Sequence, residues 1–259
     1  MRHTLKPSKK KLSKNIILSG VHTAQKYISD FPEKIVNIYF GNSIEKNTRI
    51  ESLKDSCNEI NLHFENYENK SLAKIVNHHK HQGVVLEVRM PKIGYDENFL
   101  IFLKSIPDLS SILILDSIQD PGNLGAIIRS ASAFSIDAII INKNGSAPIN
   151  DQVFKSSVGQ ILNIPIFYVI NLNRIIKLIK KENFWVIGLD GNGENLISEE
   201  IFPERTALVL GSEGFGIKKL IKDNCDQLLR IPINPNTESL NVSVATGIIL
   251  YELNKQHSD

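Results

Sequence analysis

The chain has 259 residues, a net charge of +2, 42% hydrophobic residues and 22% charged residues. These values are typical of a folded globular protein and exclude a disordered chain. No apolar run is long enough to span a bilayer and no signal segment follows the basic start, so the sequence predicts a cytoplasmic protein that makes no membrane contact.

The two cysteines, Cys57 and Cys225, lie far apart without a CxxC partner. This spacing argues against both a disulfide framework and a thiolate zinc site. The sequence therefore predicts no bound metal.

Residues 1–14 form a basic tail that we predict to be flexible. It contains no acidic residue, and its basic residues are Arg2, Lys6, Lys9, Lys10, Lys11 and Lys14. Such an arm is suited to holding an RNA backbone by counterion release. A solvated basic tail without a partner is an equally common feature of proteins, so both interpretations stay open.

Residues 15–90 predict a small α/β domain. A helix-like start at Gly20 is followed by short strand patterns at Ile35–Phe40 and Val84–Val88, with polar, helix-compatible stretches between them. Residues 91–108 interrupt this pattern with Pro and Gly and are predicted to be a linker.

Residues 109–259 predict a second α/β domain built on a parallel sheet. Its continuous apolar runs alternate with helical stretches or loops, as strands covered on both faces require. The runs are Ile112–Leu115, Ala138–Ile141, Ile164–Tyr168, Trp185–Leu189 and Ala207–Leu210. Ligand loops of open α/β sheets follow the carboxyl ends of the strands, so the chemistry is expected just after these runs.

The first unusual segment after a run is 116–131, DSIQDPGNLGAIIRSA. Asn123 stands at a plausible helix start, where a capping role would explain it. Arg129 interrupts an otherwise small and apolar helix that should face the sheet, and an inward-facing arginine predicts an anionic partner.

The second segment is 208–217, LVLGSEGFGI, with three glycines around a carboxylate. Gly211 and Gly216 have P-loop spacing, but Ile217 stands where the phosphate-binding lysine would be. The order of the glycines also inverts the dinucleotide fingerprint, and Glu213 would repel a pyrophosphate. A neutral or cationic ligand is therefore preferred.

The third segment is 229–252, LRIPINPNTESLNVSVATGIILYE, in which a proline-rich loop runs into a helix. A helix N-cap would explain Ser239. It would not explain why Asn241, Ser243 and Gly247 occur on a partly apolar helix.

Together the three segments resemble, in order and spacing, the three motifs of the SpoU (TrmH) branch of the SPOUT RNA methyltransferases. Residues 19–24 and 81–85 also resemble the start and end of that family's amino-terminal RNA-binding domain, which has an α/β fold like that of a ribosomal protein. Within the family, the chain is most similar to the enzymes that methylate the 2′-hydroxyl of a guanosine in 23S ribosomal RNA.

The resemblance implies a carboxy-terminal α/β domain with a deep trefoil knot, a homodimer, and RNA as the partner. It also implies S-adenosyl-L-methionine as cofactor, held by backbone groups of the second and third motifs. By this resemblance the cofactor-binding residues are Leu210, Gly211, Gly214, Ile231, Ser239 and Leu240.

The catalytic residues that the resemblance implies are Arg129, Asn123, Glu213 and Asn241. Arg129 would engage the ribose hydroxyl, the two asparagines would hold the geometry, and Glu213 would fix Arg129 or the catalytic loop. A protonated arginine has no lone pair, so a role in stabilising the alkoxide is preferred to that of a general base. Two alternatives are a transfer-RNA methyltransferase and a catalytically silent RNA-binding protein of the same fold.

Two further features have open roles. The histidines His78, His79 and His81 lack a nearby carboxylate or cysteine, so a solvated or RNA-facing loop is favoured over a metal site. Phe215, between two glycines, fits a core position, an interface or a base-stacking platform.

Overall fold

The structure is a computed structural model that describes residues 15–42, 47–76 and 80–257. The basic tail and the histidines His78 and His79 lie outside these residues, so what the sequence predicts for them stays a prediction. The chain divides into two compact units, residues 1–90 and 91–259.

As far as the structure describes it, the first unit is a small α/β sandwich of four strands and three α-helices. Its sheet has the order β1-β4-β2-β3, with β4 antiparallel to β1 and β2, and β3 parallel to β2. The elements are β1 (Asn15–Ser19), α1 (Val21–Asp30), β2 (Ile35–Asn42), α2 (Thr48–Glu59), β3 (Glu65–Glu68), α3 (Asn69–Val76) and β4 (Val84–Arg89).

Helix α1 shows why these residues fold in this way. Val21, Ala24 and Ile28 recur at helical spacing and are buried, so one face of the helix packs inward. The helix begins after Gly20, whose φ of +110° is a backbone conformation that glycine adopts without a steric cost.

The second unit is built on an eight-stranded sheet in which every pairing is parallel. The strand order is β10-β12-β9-β11-β6-β7-β8-β5. In chain order the elements are β5 (Ile93–Gly94), α4 (Asp96–Leu103), β6 (Ser110–Leu115), α5 (Pro121–Ala133), β7 (Ala138–Asn142), α6 (Asp151–Ser156), β8 (Ile166–Val169), α7 (Leu172–Lys181), β9 (Trp185–Leu189), β10 (Asn195–Leu196), β11 (Arg205–Leu210), α8 (Lys219–Lys222), β12 (Gln227–Arg230) and α9 (Val242–His257). None of the helices that the structure describes is both long and apolar enough to cross a membrane.

Both faces of this sheet are covered, as the continuous apolar runs predict. Ile112 and Ile114 point into a core cluster that includes side chains of α4, α7 and α8. Leu113 and Leu115 point the other way and are equally buried. Helices α5, α6 and α9 pack on one another and contribute no side chain to that cluster, which puts them on the second face. The α/β class with a parallel sheet is thereby confirmed, and the knot stays a prediction.

Residues 91–108 differ from the predicted linker. They contain β5, which pairs with β8, and α4, whose Phe99 and Leu103 are buried in the core cluster. Gly94 allows Phe167 to pack against β5, because a Cβ there would lie 2.3 Å from the Phe167 ring. The Pro and Gly residues suggested a linker, but the apolar side chains between them decide the structure.

Both cysteines that the sequence contains are free thiols. Burial raises the pKa of the Cys57 thiol to about 11 and that of the Cys225 thiol to about 12. Both thiols therefore stay protonated near neutral pH, where they are poor nucleophiles and poor metal ligands.

The contact between α5 and α6 yields a stability prediction. A Cβ on Gly125 would lie 2.5 Å from the Ser156 Cβ and 2.8 Å from the Val153 carbonyl oxygen. We expect Gly125→Ala to lower the free energy of unfolding by about 1–3 kcal/mol in denaturant titrations, because the helices must separate. Gly191→Ala is the control: no atom lies within 4 Å of its added Cβ, so a change below about 0.5 kcal/mol is expected. Equal effects of the two substitutions would contradict the close packing.

Candidate active site

The parallel sheet brings distant parts of the sequence to one edge. Because all its strands run the same way, the residues that end or follow them gather at the carboxyl-terminal edge. Asp116 follows β6, Asn142 ends β7, and Asp190 follows β9. Gly211 follows β11 and Ile231 follows β12. This edge therefore holds the start of all three unusual segments.

The loop at 211–217, which we call the glycine loop, is closed tightly on itself. Ser212 and Gly216 form an antiparallel bridge, and a Cβ on Gly211 would lie 1.9 Å from the Gly216 carbonyl carbon. Any side chain at Gly211 would force the loop open. Gly214, with a φ of +81°, makes the turn at the tip and leaves the adjacent Glu213 side chain exposed.

A chain of hydrogen bonds joins the three segments. Asn123 donates from Nδ2 to the Glu213 carboxylate, and its Oδ1 accepts from Nδ2 of Asn241 at 3.1 Å. These partners lie 90 and 118 residues away from Asn123 in the sequence. Because a carboxylate only accepts and the Asn241 amide donates, both ends of the Asn123 amide are fixed. Three of the four predicted catalytic residues thus meet at one place.

The helix caps differ from the sequence interpretation. Asp120 caps α5, since its Oδ1 accepts the Asn123 N–H at 2.7 Å. The Asn123 side chain therefore projects from the first turn and is available to the site. At the start of α9 the Asn241 Oδ1 accepts the Ser243 N–H at 2.9 Å, so Asn241 and not Ser239 provides the cap.

Arg129 does not lie where the sequence predicted. Its side chain is exposed rather than directed at the sheet, and within residues 15–42, 47–76 and 80–257 it forms no hydrogen bond or ion pair. It lies six residues after Asn123, about 9 Å along α5 and a third of a turn around it. Of the two predicted roles of Glu213, fixing Arg129 or fixing the catalytic loop, the structure shows no contact with Arg129: the Glu213 carboxylate binds Asn123, and the role in the loop stays a prediction. The inward helix face is instead filled by aliphatic side chains such as Ile127 and Ile128.

The residues predicted to bind the cofactor surround the same edge. Leu210 and Gly211 are buried, Ile231 and Leu240 are half-buried, and Gly214 and Ser239 are exposed. Within the described residues, the main-chain groups of Gly214, Ser239 and Leu240 take part in no hydrogen bond. Uncommitted peptide groups beside half-buried apolar side chains suit a ligand with an adenine, ribose hydroxyls and an amino-acid group, so the residues fit S-adenosylmethionine.

Two residues at this edge were given no role by the sequence analysis. Asp116 carries a fully buried carboxylate, and its Oδ1 pairs with Lys218 Nζ at 2.8 Å. The signal was available, since a carboxylate directly after an apolar run and a lysine directly after the glycine loop are both unusual positions. Their partnership could not be deduced, because they are 102 residues apart.

The structure also limits the roles that the sequence left open for Phe215 and for His81. Phe215 is 91% exposed, which excludes a core position. His81 is buried rather than solvated, and its Nδ1 accepts the Gly83 N–H at 3.1 Å. No group of histidine, cysteine and acidic side chains among the described residues could hold a metal ion.

Comparison with known proteins decides the family. The profile of the SpoU rRNA Methylase family matches residues 110–251, which include the whole hydrogen-bond chain. The chain belongs to the SpoU family. A second profile, described as RNA 2′-O ribose methyltransferase substrate binding, matches residues 18–93.

Relatives of this SpoU protein match along nearly its whole length. The 23S rRNA (guanosine-2′-O-)-methyltransferase RlmB of Salmonella typhimurium is 34% identical over 93% of this chain and 99% of its own. The protein of the same name from Coxiella burnetii is 35% identical over 95% of this chain and 97% of its own.

A solved structure supports the fold of this family member. The crystal structure of the SpoU methyltransferase AviRb from Streptomyces viridochromogenes, in complex with AdoMet, covers 95% of this chain and 91% of its own. The TM-score is 0.73 at 20% sequence identity. This likeness establishes a shared SpoU fold.

The hydrogen-bond chain of the site leads to a prediction. Asn123→Asp places a carboxylate against Glu213, so it removes a hydrogen bond to a charged group and adds repulsion between like charges. We expect methyl transfer to slow by about 10- to 100-fold, since such a bond contributes about 1.5–3 kcal/mol. Single-turnover kinetics measures the change.

The double variant Asn123→Asp, Glu213→Gln is the matched control. It exchanges the amide and the carboxylate, so the donor and the acceptor change places and the hydrogen bond can form again. We expect it to recover part of the lost rate. The single variant Glu213→Gln completes the cycle, and a double variant no faster than the product of the two single effects would contradict a direct interaction.

Proposed function

We propose that this SpoU protein transfers a methyl group from S-adenosylmethionine to the ribose 2′-hydroxyl of a guanosine in 23S ribosomal RNA. The observation that carries the proposal is the chain Glu213–Asn123–Asn241, which joins all three family segments at the ligand-binding edge of the sheet. The RlmB relatives, whose names state this reaction, support the choice of substrate because they align over nearly the whole chain.

S-adenosylmethionine would supply a methyl group activated by a positively charged sulfur. The protein's own task is then to hold the ribose in line with that methyl group, exclude water and help the hydroxyl to lose its proton. The residues for holding the cofactor are those at the edge, with the peptide groups of Gly214, Ser239 and Leu240 as hydrogen-bonding partners.

Arg129 is suited to the developing oxygen anion. Its guanidinium is not neutralised by a carboxylate within the described residues, so its full positive charge remains available to RNA. A protonated guanidinium donates hydrogen bonds and cannot accept a proton. We therefore assign to Arg129 the stabilisation of the alkoxide, with an RNA phosphate as proton acceptor.

The asparagines and Glu213 are suited to positioning. Asn123 is held at both ends of its amide, and Asn241 is fixed in turn because its Oδ1 caps α9. The three segments therefore keep one geometry without relying on the substrate, and this preorganisation is what a group-transfer site needs.

The first unit contains a cleft that suits RNA. Its volume is about 610 Å³, and its lining combines His22, Arg49 and Lys70 with further polar residues, glycines and the apolar side chains of Val21 and Ile50. No Asp or Glu is among the described residues that line it. The amino-terminal ends of α1, α2 and α3 all border the cleft, and such ends favour phosphate groups.

These features support a division of labour that we include in the proposal. Residues 15–90 would bind the RNA, with the basic tail 1–14 as an additional arm, and residues 109–259 would carry out the transfer. A homodimer is supported by exposed apolar side chains on α9, where Val244 and Tyr251 are each more than half exposed. The location that follows from a ribosomal RNA substrate is the cytoplasm.

The first test is transfer of labelled methyl groups to 23S RNA, followed by digestion and identification of the nucleoside. We expect 2′-O-methylguanosine, and we expect Arg129→Ala to lower the single-turnover rate about 100- to 1,000-fold while cofactor binding is kept. Arg174→Ala is the control, because Arg174 is an exposed arginine of α7 in the same unit. Methylation of transfer RNA in place of 23S RNA would overturn the substrate, and cofactor binding without transfer to any RNA would favour a silent binding protein.

The second test concerns the cleft of the first unit. Replacing Arg49 and Lys70 together by Ala should weaken 23S RNA binding and reduce the slope of log K against log salt by about 1 per lost phosphate contact. The control replaces Lys26, in the second half of α1, and Lys34, just after that helix; neither lines the cleft, so neither quantity is expected to change. Equal losses in both variants would indicate a general charge effect and no specific role for the cleft.

A further inference from the structure

A fully buried charge lies beside the proposed site. Asp116 follows β6, and its side chain is 0% exposed. A buried carboxylate is costly unless it is paired and hydrogen-bonded. Neither the reaction nor the family resemblance gave this residue a role.

The Asp116 carboxylate is paired chiefly with Lys218. Oδ1 accepts from Lys218 Nζ at 2.8 Å and from the Ser117 hydroxyl at 2.9 Å, and Oδ2 accepts from the Lys218 N–H at 3.2 Å. The Ser117 hydroxyl also accepts from Lys218 Nζ at 2.6 Å. Ser117 has a φ of +65°, a sparsely populated conformation for a residue with a side chain, and these bonds compensate for it.

These contacts matter because Lys218 directly follows the glycine loop. The segment 116–123 contacts the loop and both residues that flank it: the Asp116 N–H donates to the Leu210 carbonyl at 2.8 Å, the Asp116 side chain binds Lys218, and Asn123 binds Glu213. One connection between a strand and a helix therefore holds the residue before the loop, Glu213 within it and the residue after it.

We propose that Asp116 and Lys218 form a positioning pair that keeps the glycine loop in its cofactor-binding shape. The inference rests on the proposed binding of S-adenosylmethionine at this edge. Neither residue is assigned a contact with the reacting atoms. If the pair is lost, the loop occupies its closed shape for a smaller fraction of the time, and the apparent affinity for the cofactor falls by that fraction.

The experiment compares neighbouring lysines. Lys218→Met removes the pair, and Lys219→Met is the matched control, because Lys219 is the next residue, is exposed and has no ion pair within the described residues. Calorimetry measures the Kd for S-adenosylmethionine, and steady-state kinetics separates the KM for the cofactor from kcat. Lys218→Arg, which keeps a cationic donor, tests rescue.

We expect Lys218→Met to raise both the Kd and the KM for the cofactor about tenfold, with kcat changed less than twofold at saturation. Lys219→Met should leave all three quantities unchanged, and Lys218→Arg should restore most of the affinity. Asp116→Asn should act in the same direction as Lys218→Met, with a thermal melt to establish that the variant is folded.

Three outcomes would overturn the proposal: an unchanged Kd in a folded Lys218→Met protein, equal losses for Lys218→Met and Lys219→Met, or a drop in kcat without a change in affinity. A lower Tm with unchanged Kd would make the pair purely structural. If the wild type binds the cofactor but methylates no RNA, the affinity comparison still decides the role of the pair. A wild type that does not bind S-adenosylmethionine would remove the basis of both proposals.

Discussion

The parallel direction of the strands in the large sheet is the constraint on which the site depends. Parallel strands need a crossover between them, so residues that meet at the carboxyl-terminal edge come from widely separated parts of the chain. Asn123 and Asn241 are 118 residues apart and yet share a hydrogen bond. Bringing such segments together lowers the conformational entropy of the chain. This loss is offset by burial of the aliphatic side chains on both faces of the sheet.

At this edge of the sheet, some residues are held rigidly and others are exposed. The glycine loop is rigid at its base, where Gly211 touches Gly216 and Lys218 is bound by Asp116. Its tip presents Glu213 and Phe215 to the outside. Arg129 is likewise exposed and unpaired within the described part of the chain. The protein therefore fixes the groups that hold geometry and leaves accessible the groups that an RNA could contact.

The same edge contains two different kinds of polar interaction. The bond between Asn123 and Glu213 is partly exposed, so solvent weakens it and its value lies in orientation. The Asp116 carboxylate is fully buried, so removing its partner would destabilise the protein more, because a buried charge would be left unpaired. The first interaction suits a site that must admit a large substrate. The second suits the base of a loop that must keep its shape.

The sequence by itself determined the α/β class with a parallel sheet and the three segments that carry the family, whereas the order of the strands in that sheet came only from the structure. Continuous apolar runs predicted the buried strands β6, β7, β9 and β11, because burial on both faces leaves no polar alternation. The family resemblance of those segments also pointed to Asn123, Glu213 and Asn241, whereas the residues alone left a helix-capping role open for Asn123. Only the tertiary structure decided which of them touch: Asp120 is the cap of α5, which frees Asn123 for Glu213, while Arg129 points outward. Only the tertiary structure also showed that apolar side chains of residues 91–108 pack in the core and that Asp116 pairs with Lys218. Such choices depend on distances between residues far apart in the chain, which local spacing and composition do not contain.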